Sequence, residues 1–260
     1  MESQLLQHFL SIKETAANSQ KQYQTAHPFP HIAIDNFLPE QIAEQILKLF
    51  PGKDFVDFNQ PDYKKFQKKK LGQIQKSYFV NIDPWLRYIL YEFNSMAFLD
   101  YLEQLTGIKG LIPDPHYQGG AFHTILSGGK LAVHADFNVD SKRKLRRCLN
   151  VLLYFNKDWE DSYNGHLELW DEEMQECQVK IAPVFNRCVI FNTTSTSYHG
   201  HPTPLSCPEN RTRNSIALYY YVADAGIFDA KIKAHSTLWK TTAAEQKTIG
   251  GFFSSIFKSK

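Results

Sequence analysis

Hydrophobic positions along the chain follow two different periods, and the change between them falls near Gly110. Before it, apolar residues return every three or four positions. Leu5, Leu6, Phe9, Leu10 and Ile12 mark an amphipathic helix over residues 2–24, which His27-Pro28-Phe29-Pro30 breaks. HIAIDNF (31–37) alternates and predicts a short strand. Pro39 opens a second helix that runs to Phe50, with Ile42, Ile46, Leu47 and Phe50 on one face and Pro51-Gly52 as its stop. Leu86, Ile89, Leu90, Phe93, Phe98, Leu99 and Leu102 predict one further helical stretch from Pro84 to Leu105. Residues 54–76 show no period and hold a lysine run, KKFQKKK (64–70), that reads as a solvated loop face. The stretch also carries Phe55, Phe58, Tyr63 and Phe66, which need something to bury against; a lid that closes over a site has this composition.

After Gly110 short apolar or alternating runs follow one another, each bounded by Gly, Pro, Asn or Asp. They are AFHTIL (121–126), KLAVHAD (130–136), RCLNVLLYF (147–155), HLELW (166–170), CQVKIAP (177–183), CVIFNT (188–193), SYHGH (197–201) and NSIALYYYV (214–222). Such a series predicts an antiparallel sandwich or barrel rather than a βαβ sheet. The expected organisation is an N-terminal support region over 1–110 with the lid at 54–76, a β core over 111–225, and a C-terminal extension over 226–260. In the extension, residues 241–260 suit a weak helix or a strap across the core better than a membrane anchor.

Composition narrows the class. In 260 residues, 43% hydrophobic and 14% aromatic content supports a large packed core, and a net charge of +2 gives no reason to expect nucleic acid as a partner. No apolar run reaches the ~20 residues of a membrane span. The first twenty residues lack the basic and apolar regions of a secretory signal. Cys148, Cys177, Cys188 and Cys207 are too sparse for a disulfide framework and lack CxxC spacing. These features predict reduced thiols and a cytoplasmic protein; oligomeric state is left open.

Candidate chemistry centres on His134-Ala135-Asp136 at the end of a predicted strand. Residues i and i+2 of a strand share a face, so imidazole and carboxylate can grip one ion together. With His199 downstream they make two histidines and a carboxylate, the set with which non-haem Fe(II) oxygenases hold iron while leaving positions open. An isolated H-x-D arises often by chance, with the histidine in a core and the aspartate in a turn. Arg213 changes the balance. Alternation along RNSIALYYY (213–221) puts Arg213, Ser215, Ala217 and Tyr219 on one face, and a cation inside a barrel needs an anionic partner such as a 2-oxoglutarate carboxylate.

Four motifs, HADFN (134–138), RCLNVLLYFNKDW (147–159), SYHGHP (197–202) and RNSIALYYY, stand in one order over roughly residues 110–225. In this they resemble the prolyl 4-hydroxylase-like branch of the Fe(II)/2-oxoglutarate-dependent oxygenases. The resemblance implies a mainly β fold with flanking helices and a double-stranded β-helix (jelly-roll) core. It implies His134, Asp136 and His199 as metal ligands, and Arg213 with Tyr154 on the far carboxylate of 2-oxoglutarate. Thr124 or His123 then occupies a further cosubstrate position on the first core strand. The implied reaction consumes dioxygen and 2-oxoglutarate, with ascorbate as a reductant, and hydroxylates an unactivated C–H bond of a prolyl residue, another peptide residue or a small molecule. Asp136 favours this outcome, since halogenating relatives carry a small residue there.

Several alternatives stand beside these assignments. Arg211 rivals Arg213, and His201 rivals His199. Asn138 and Asn150 suit hydrogen bonds that orient metal ligands, or turns. His166, Trp159 and Trp170 suit a substrate mouth, or packing. Two other classes also fit the pattern: a non-enzymatic jelly-roll binding module, and a cupin-like iron enzyme with no use for 2-oxoglutarate.

Overall fold

The computed structural model describes residues 2–52, 55, 67–71, 78–223 and 233–242. Its helices are α1 (Glu2–Gln24), α2 (Glu40–Leu49), α3 (Tyr78–Asn81), α4 (Pro84–Glu92) and α5 (Met96–Thr106). Its strands are β1 (His31–Ile34), β2 (Gln67–Leu71), β3 (Leu111–Pro113), β4 (Ala121–Ala135), β5 (Val139–Asp140), β6 (Leu145–Tyr154), β7 (Leu167–Trp170), β8 (Cys177–Ile181), β9 (Arg187–Asn192), β10 (His199–His201), β11 (Thr212–Ala223) and β12 (Leu238–Trp239). The strands pair antiparallel in the order β1-β9-β6-β11-β4-β10-β7-β8, a nearly closed jelly-roll barrel with helices against one side.

The two runs expected at 121–126 and 130–136 form one long strand, β4. Its first part pairs with β11 (Arg213 opposite Ile125) and its last part with β10 (His199 opposite His134). Gly128 lies between them at φ +75°, a left-handed angle that glycine adopts without strain. The partner changes across it, so a single strand serves both walls of the barrel.

Alternation sorts side chains between two compartments. On β11, Ile216, Leu218, Tyr220 and Val222 join Leu149, Val151 and Leu153 of β6 in a core shared with the helices. The residues between them, Arg213, Ser215, Ala217 and Tyr219, face the barrel interior with Asn150, Leu152 and Tyr154. On the helical side Phe98 is a hub, its ring centroid 4.7 Å from Phe9, 4.9 Å from Phe93, 5.7 Å from Tyr101 and 6.1 Å from Tyr220. α1 is tied to α5 by Lys13–Asp100 (2.6 Å), Gln20 to the Gln104 carbonyl (2.9 Å) and Gln24 to the Thr106 carbonyl (3.1 Å). Gly107 ends α5 at φ +79°, where a Cβ would lie 2.6 Å from Gln24 Nε2.

The structure departs from the sequence pattern at three places. The helix expected over Pro84–Leu105 is two, because Asn94-Ser95 breaks it: Ser95 is extended as the N-cap of α5, and Asn94 donates to the Tyr117 hydroxyl (2.9 Å). Within the stretch expected to lack structure, residues 67–71 form β2 and pair with β4; the other residues of 54–76 except Phe55 lie outside the described residues, as do residues 243–260 of the weak helix expected over 241–260. Residues 233–242 run across the barrel mouth, where β12 pairs with Ala135 and His134. No helix among the described residues is long and apolar enough to cross a membrane.

Phe98→Ala leaves a void among five aromatic rings and is expected to cost about 3–5 kcal/mol of stability in urea unfolding. A loss below ~1 kcal/mol would mean that the helical layer collapses into the space.

Candidate metal centre

Antiparallel pairing puts His134 of β4 directly opposite His199 of β10, their ring centroids 4.5 Å apart. Each Nδ1 lies 2.9 Å from the carbonyl two residues earlier, Ala132 for His134 and Ser197 for His199. A carbonyl only accepts, so each Nδ1 carries the proton and each neutral ring presents its Nε2 lone pair. Both Nε2 atoms face Asp136, at 3.6 Å from Oδ1 for His134 and 3.4 Å from Oδ2 for His199. One ligand atom from each of the three residues falls within 4.8 Å of the others, so the group has the reach and donor chemistry to hold a metal ion.

Asp136 is held from behind. Its Oδ2 accepts from Arg147 (2.9 Å) and from Asn150 Nδ2 (2.8 Å), while Asn150 Oδ1 accepts from Arg147 Nη2 (2.7 Å). The Arg147 guanidinium lies 3.5 Å over the Tyr219 ring and 4.8 Å from that of Phe137. Burial acts to raise the Asp136 pKa, but Arg147 and the two histidines outweigh it and hold the carboxyl well below its ordinary range. Burial, with help from His134, lowers His199 to about 4. An ionised Asp136 beside a His199 held neutral is the state a metal requires of such ligands.

The triad closes one end of a cavity of about 230 Å³ whose opposite end holds Arg213. Arg213 is 4% exposed; its Nε donates to the Gly165 carbonyl (2.7 Å) and its Nη2 to the Tyr154 hydroxyl (3.3 Å). Gly165 stands at φ +78°, and a Cβ there would meet Leu205 at 2.5 Å and Arg213 Cδ at 3.1 Å. No carboxylate among the described residues pairs with Arg213. An uncompensated guanidinium facing a cavity marks a place for an anion.

Of the residues singled out in the sequence, His134, Asp136, His199, Tyr154, Arg213 and Ser215 all line this cavity. Thr124 does not: it is opposite Asn214 on β11 and buried on the other face, whereas its neighbour His123, opposite Ser215, faces the interior. The period-2 alternation of β4 decides between the two. Arg211 points away and donates to the Lys157 and Asp158 carbonyls. Asn150 holds Asp136, but Asn138 instead anchors the 233–242 segment through Lys233 and His235. Trp159, His166 and Trp170 lie outside the cavity wall, with Trp159 packed on Tyr163, His166 beside Asp161 and Trp170 donating to Glu168.

The sequence reading overlooked Arg147, Lys70, Trp239 and the interior position of His201. Trp239 of β12 lies 4.9 Å from the His134 ring. Arg147 had a visible signal, since a cation on an otherwise apolar strand needs a partner just as Arg213 does.

Residues 120–221 match the profile of the 2OG-Fe(II) oxygenase superfamily. The fold is similar to that of a prolyl-4-hydroxylase from Pseudomonas putida (TM-score 0.54, 16% identity, covering 80% of this chain and 99% of that one). It is similar also to a Trichoplax adhaerens prolyl hydroxylase solved with a hypoxia inducible factor peptide fragment (TM-score 0.55, 20% identity, 88% and 96% covered). A third likeness is HygX from Streptomyces hygroscopicus, solved with nickel and 2-oxoglutarate (TM-score 0.52, 9% identity, 85% and 96% covered). No protein of curated function matches by sequence. The match over residues 120–221 supports a 2-oxoglutarate-dependent dioxygenase, and the fold is the one these prolyl hydroxylases share.

Removing the support of Asp136 should loosen its grip on a metal. Arg147→Met is expected to weaken Mn(II) binding about 10–100-fold in calorimetry, with the fold retained by circular dichroism. Unchanged affinity would mean that Asn150 alone orients the carboxylate.

Proposed function

We propose that the chain hydroxylates an unactivated C–H bond in a prolyl or other amino-acid residue of a peptide, holding Fe(II) on His134, Asp136 and His199 and the far carboxylate of 2-oxoglutarate on Arg213 and Tyr154. One observation carries this reading: a single cavity joins a two-histidine, one-carboxylate cluster to a buried guanidinium that has no carboxylate partner among the described residues. Two imidazole lone pairs and a carboxylate on one side suit Fe(II) and leave its other positions free. When bound, iron and 2-oxoglutarate supply the oxidising chemistry, with dioxygen consumed, succinate and carbon dioxide released and one oxygen atom delivered to the substrate carbon.

The protein's own part is positioning. Arg213 neutralises the far carboxylate, and the Tyr154 hydroxyl beside it offers a further hydrogen bond. Ile125, Leu131, Leu152 and Leu167 line the cavity between its two charged ends and exclude water there. Asp136 keeps a full negative charge beside the metal, the condition that favours hydroxylation. A wider hollow of about 670 Å³ shares Gln118, Phe137 and Thr237 with the cavity and is walled by residues 139–143 and 234–236. It gives a peptide room to present one residue to the metal, and the Trichoplax adhaerens neighbour does hold a peptide fragment. A cupin-like enzyme that dispenses with 2-oxoglutarate would have no need of a buried Arg213 facing the cavity without a carboxylate partner among the described residues. All four cysteines are free thiols, in keeping with a cytoplasmic setting.

The purified protein with Fe(II) and ascorbate should release succinate from 2-oxoglutarate, and release should rise with the true substrate in a panel of peptides and metabolites. Without succinate above a metal-free control, the binding-module reading replaces this one. Arg213→Ala should raise the 2-oxoglutarate concentration needed for half-maximal turnover at least tenfold, because a charge-assisted pair contributes about 1.5–3 kcal/mol. Arg211→Ala should change it less than twofold; the reverse ranking would move the anion site outside the barrel.

A further inference from the structure

His201 has no role in the chemistry derived above, yet it is among the most enclosed polar side chains in the molecule. It is 3% exposed, and neither Nδ1 nor Nε2 has a hydrogen-bond partner among the described residues. A neutral imidazole always carries one N–H and one lone pair, so two orphaned nitrogens shut away from water leave a real deficit. Histidines elsewhere in the barrel avoid it: His134 and His199 each satisfy Nδ1 on a backbone carbonyl.

The backbone fixes where His201 sits. It follows His199 by two residues on β10 and pairs with Leu131, with a register shift between the two positions, and both side chains line the cavity. Two residues of strand advance about 7 Å and return to the same face. His201 therefore lines the cavity one step deeper than the triad, among Leu131, Ile125 and Arg213. In the 2-oxoglutarate reading the chelating end of the five-carbon diacid lies at the triad and its far carboxylate at Arg213, and His201 lines the same cavity. Arg213 Nε and Nη2 are engaged by Gly165 and Tyr154, so one guanidinium face alone does not saturate a carboxylate that has two oxygens to satisfy.

We infer that His201 donates a hydrogen bond to the far carboxylate of the cosubstrate and, with Arg213, makes the cavity selective for 2-oxo diacids over 2-oxo monoacids. This rests on the 2-oxoglutarate reading above. The orphaned imidazole is completed when the diacid enters, and Arg213 supplies the charge.

The test compares binding of 2-oxoglutarate and 2-oxopentanoate, which lacks the far carboxylate, by calorimetry on the Mn(II)-loaded protein. His201→Leu should weaken 2-oxoglutarate about tenfold or more while leaving 2-oxopentanoate within twofold. His201→Gln, which keeps a donor, should recover most of the lost affinity. Equal weakening of both acids, no weakening of either, or a His201→Gln variant as poor as His201→Leu would each overturn the assignment. Mn(II) affinity should be the same in all three proteins, which separates loss of this contact from damage to the metal cluster. A wild-type protein that binds Mn(II) but does not prefer the diacid would instead refute the 2-oxoglutarate reading itself.

Discussion

One strand carries two hydrogen-bonded ladders, and the site depends on that arrangement. β4 pairs with β11 through its first half and with β10 through its last residues. The first ladder places Arg213 opposite Ile125; the second places His199 opposite His134. Both pairings lie within fifteen residues of continuous strand, which fixes the spacing between the cation and the metal-ligating cluster. The β4–β11 ladder runs without a shift, and it cannot slip by one residue without turning Arg213 and its interior neighbours outward. The separation of charges in the cavity is therefore set by backbone geometry, not by flexible side chains.

The same alternation allocates the core. The outward face of β6 and β11 is aliphatic and aromatic, and it is covered by α1, α2, α4 and α5 around the Phe98 cluster. With that face covered, the inward face is free to be polar. Arg147, Arg213, Tyr154, Asn150 and His201 are all nearly inaccessible to water, a costly concentration of polar groups. Most of the cost is offset locally. Arg147 finds Asp136, Asn150 and the Tyr219 ring, and Asn150 finds Asp136. Among the described residues Arg213 finds only neutral oxygens, and the His201 nitrogens find no hydrogen-bond partner. The imbalance is confined to the end of the cavity away from the triad, where an anionic ligand would complete it.

Asp136 illustrates how the charge is controlled. Desolvation opposes its ionisation, and Arg147 with the two histidines reverses the outcome. Arg147 and Asn150 both donate to Oδ2, the oxygen that also faces His199. Oδ1 is left on the side of His134. The residue that directs Asp136 thus comes from β6, eleven positions further along the chain.

The sequence by itself determined the elements that repeat. Period-3.6 runs marked α1 and α2, period-2 runs marked most of the barrel strands, and H-x-D with a later histidine and an arginine-led strand marked the candidate site. These were legible because helix and strand periods are local, and because a cation written into an apolar strand has few ways to exist. Tertiary structure decided everything that depends on which strands meet. It split the Pro84–Leu105 stretch at Asn94-Ser95, since a side-chain bond to Tyr117 competes with helix continuation. It merged two expected strands into β4, chose His123 over Thr124 for the interior, and brought Trp239 from the C-terminal segment against His134. It also placed His201 beneath the triad with its nitrogens unsatisfied. None of these can be read from residue types alone, because a hydrogen-bond deficit is a property of what surrounds a group, and only the folded barrel supplies those surroundings.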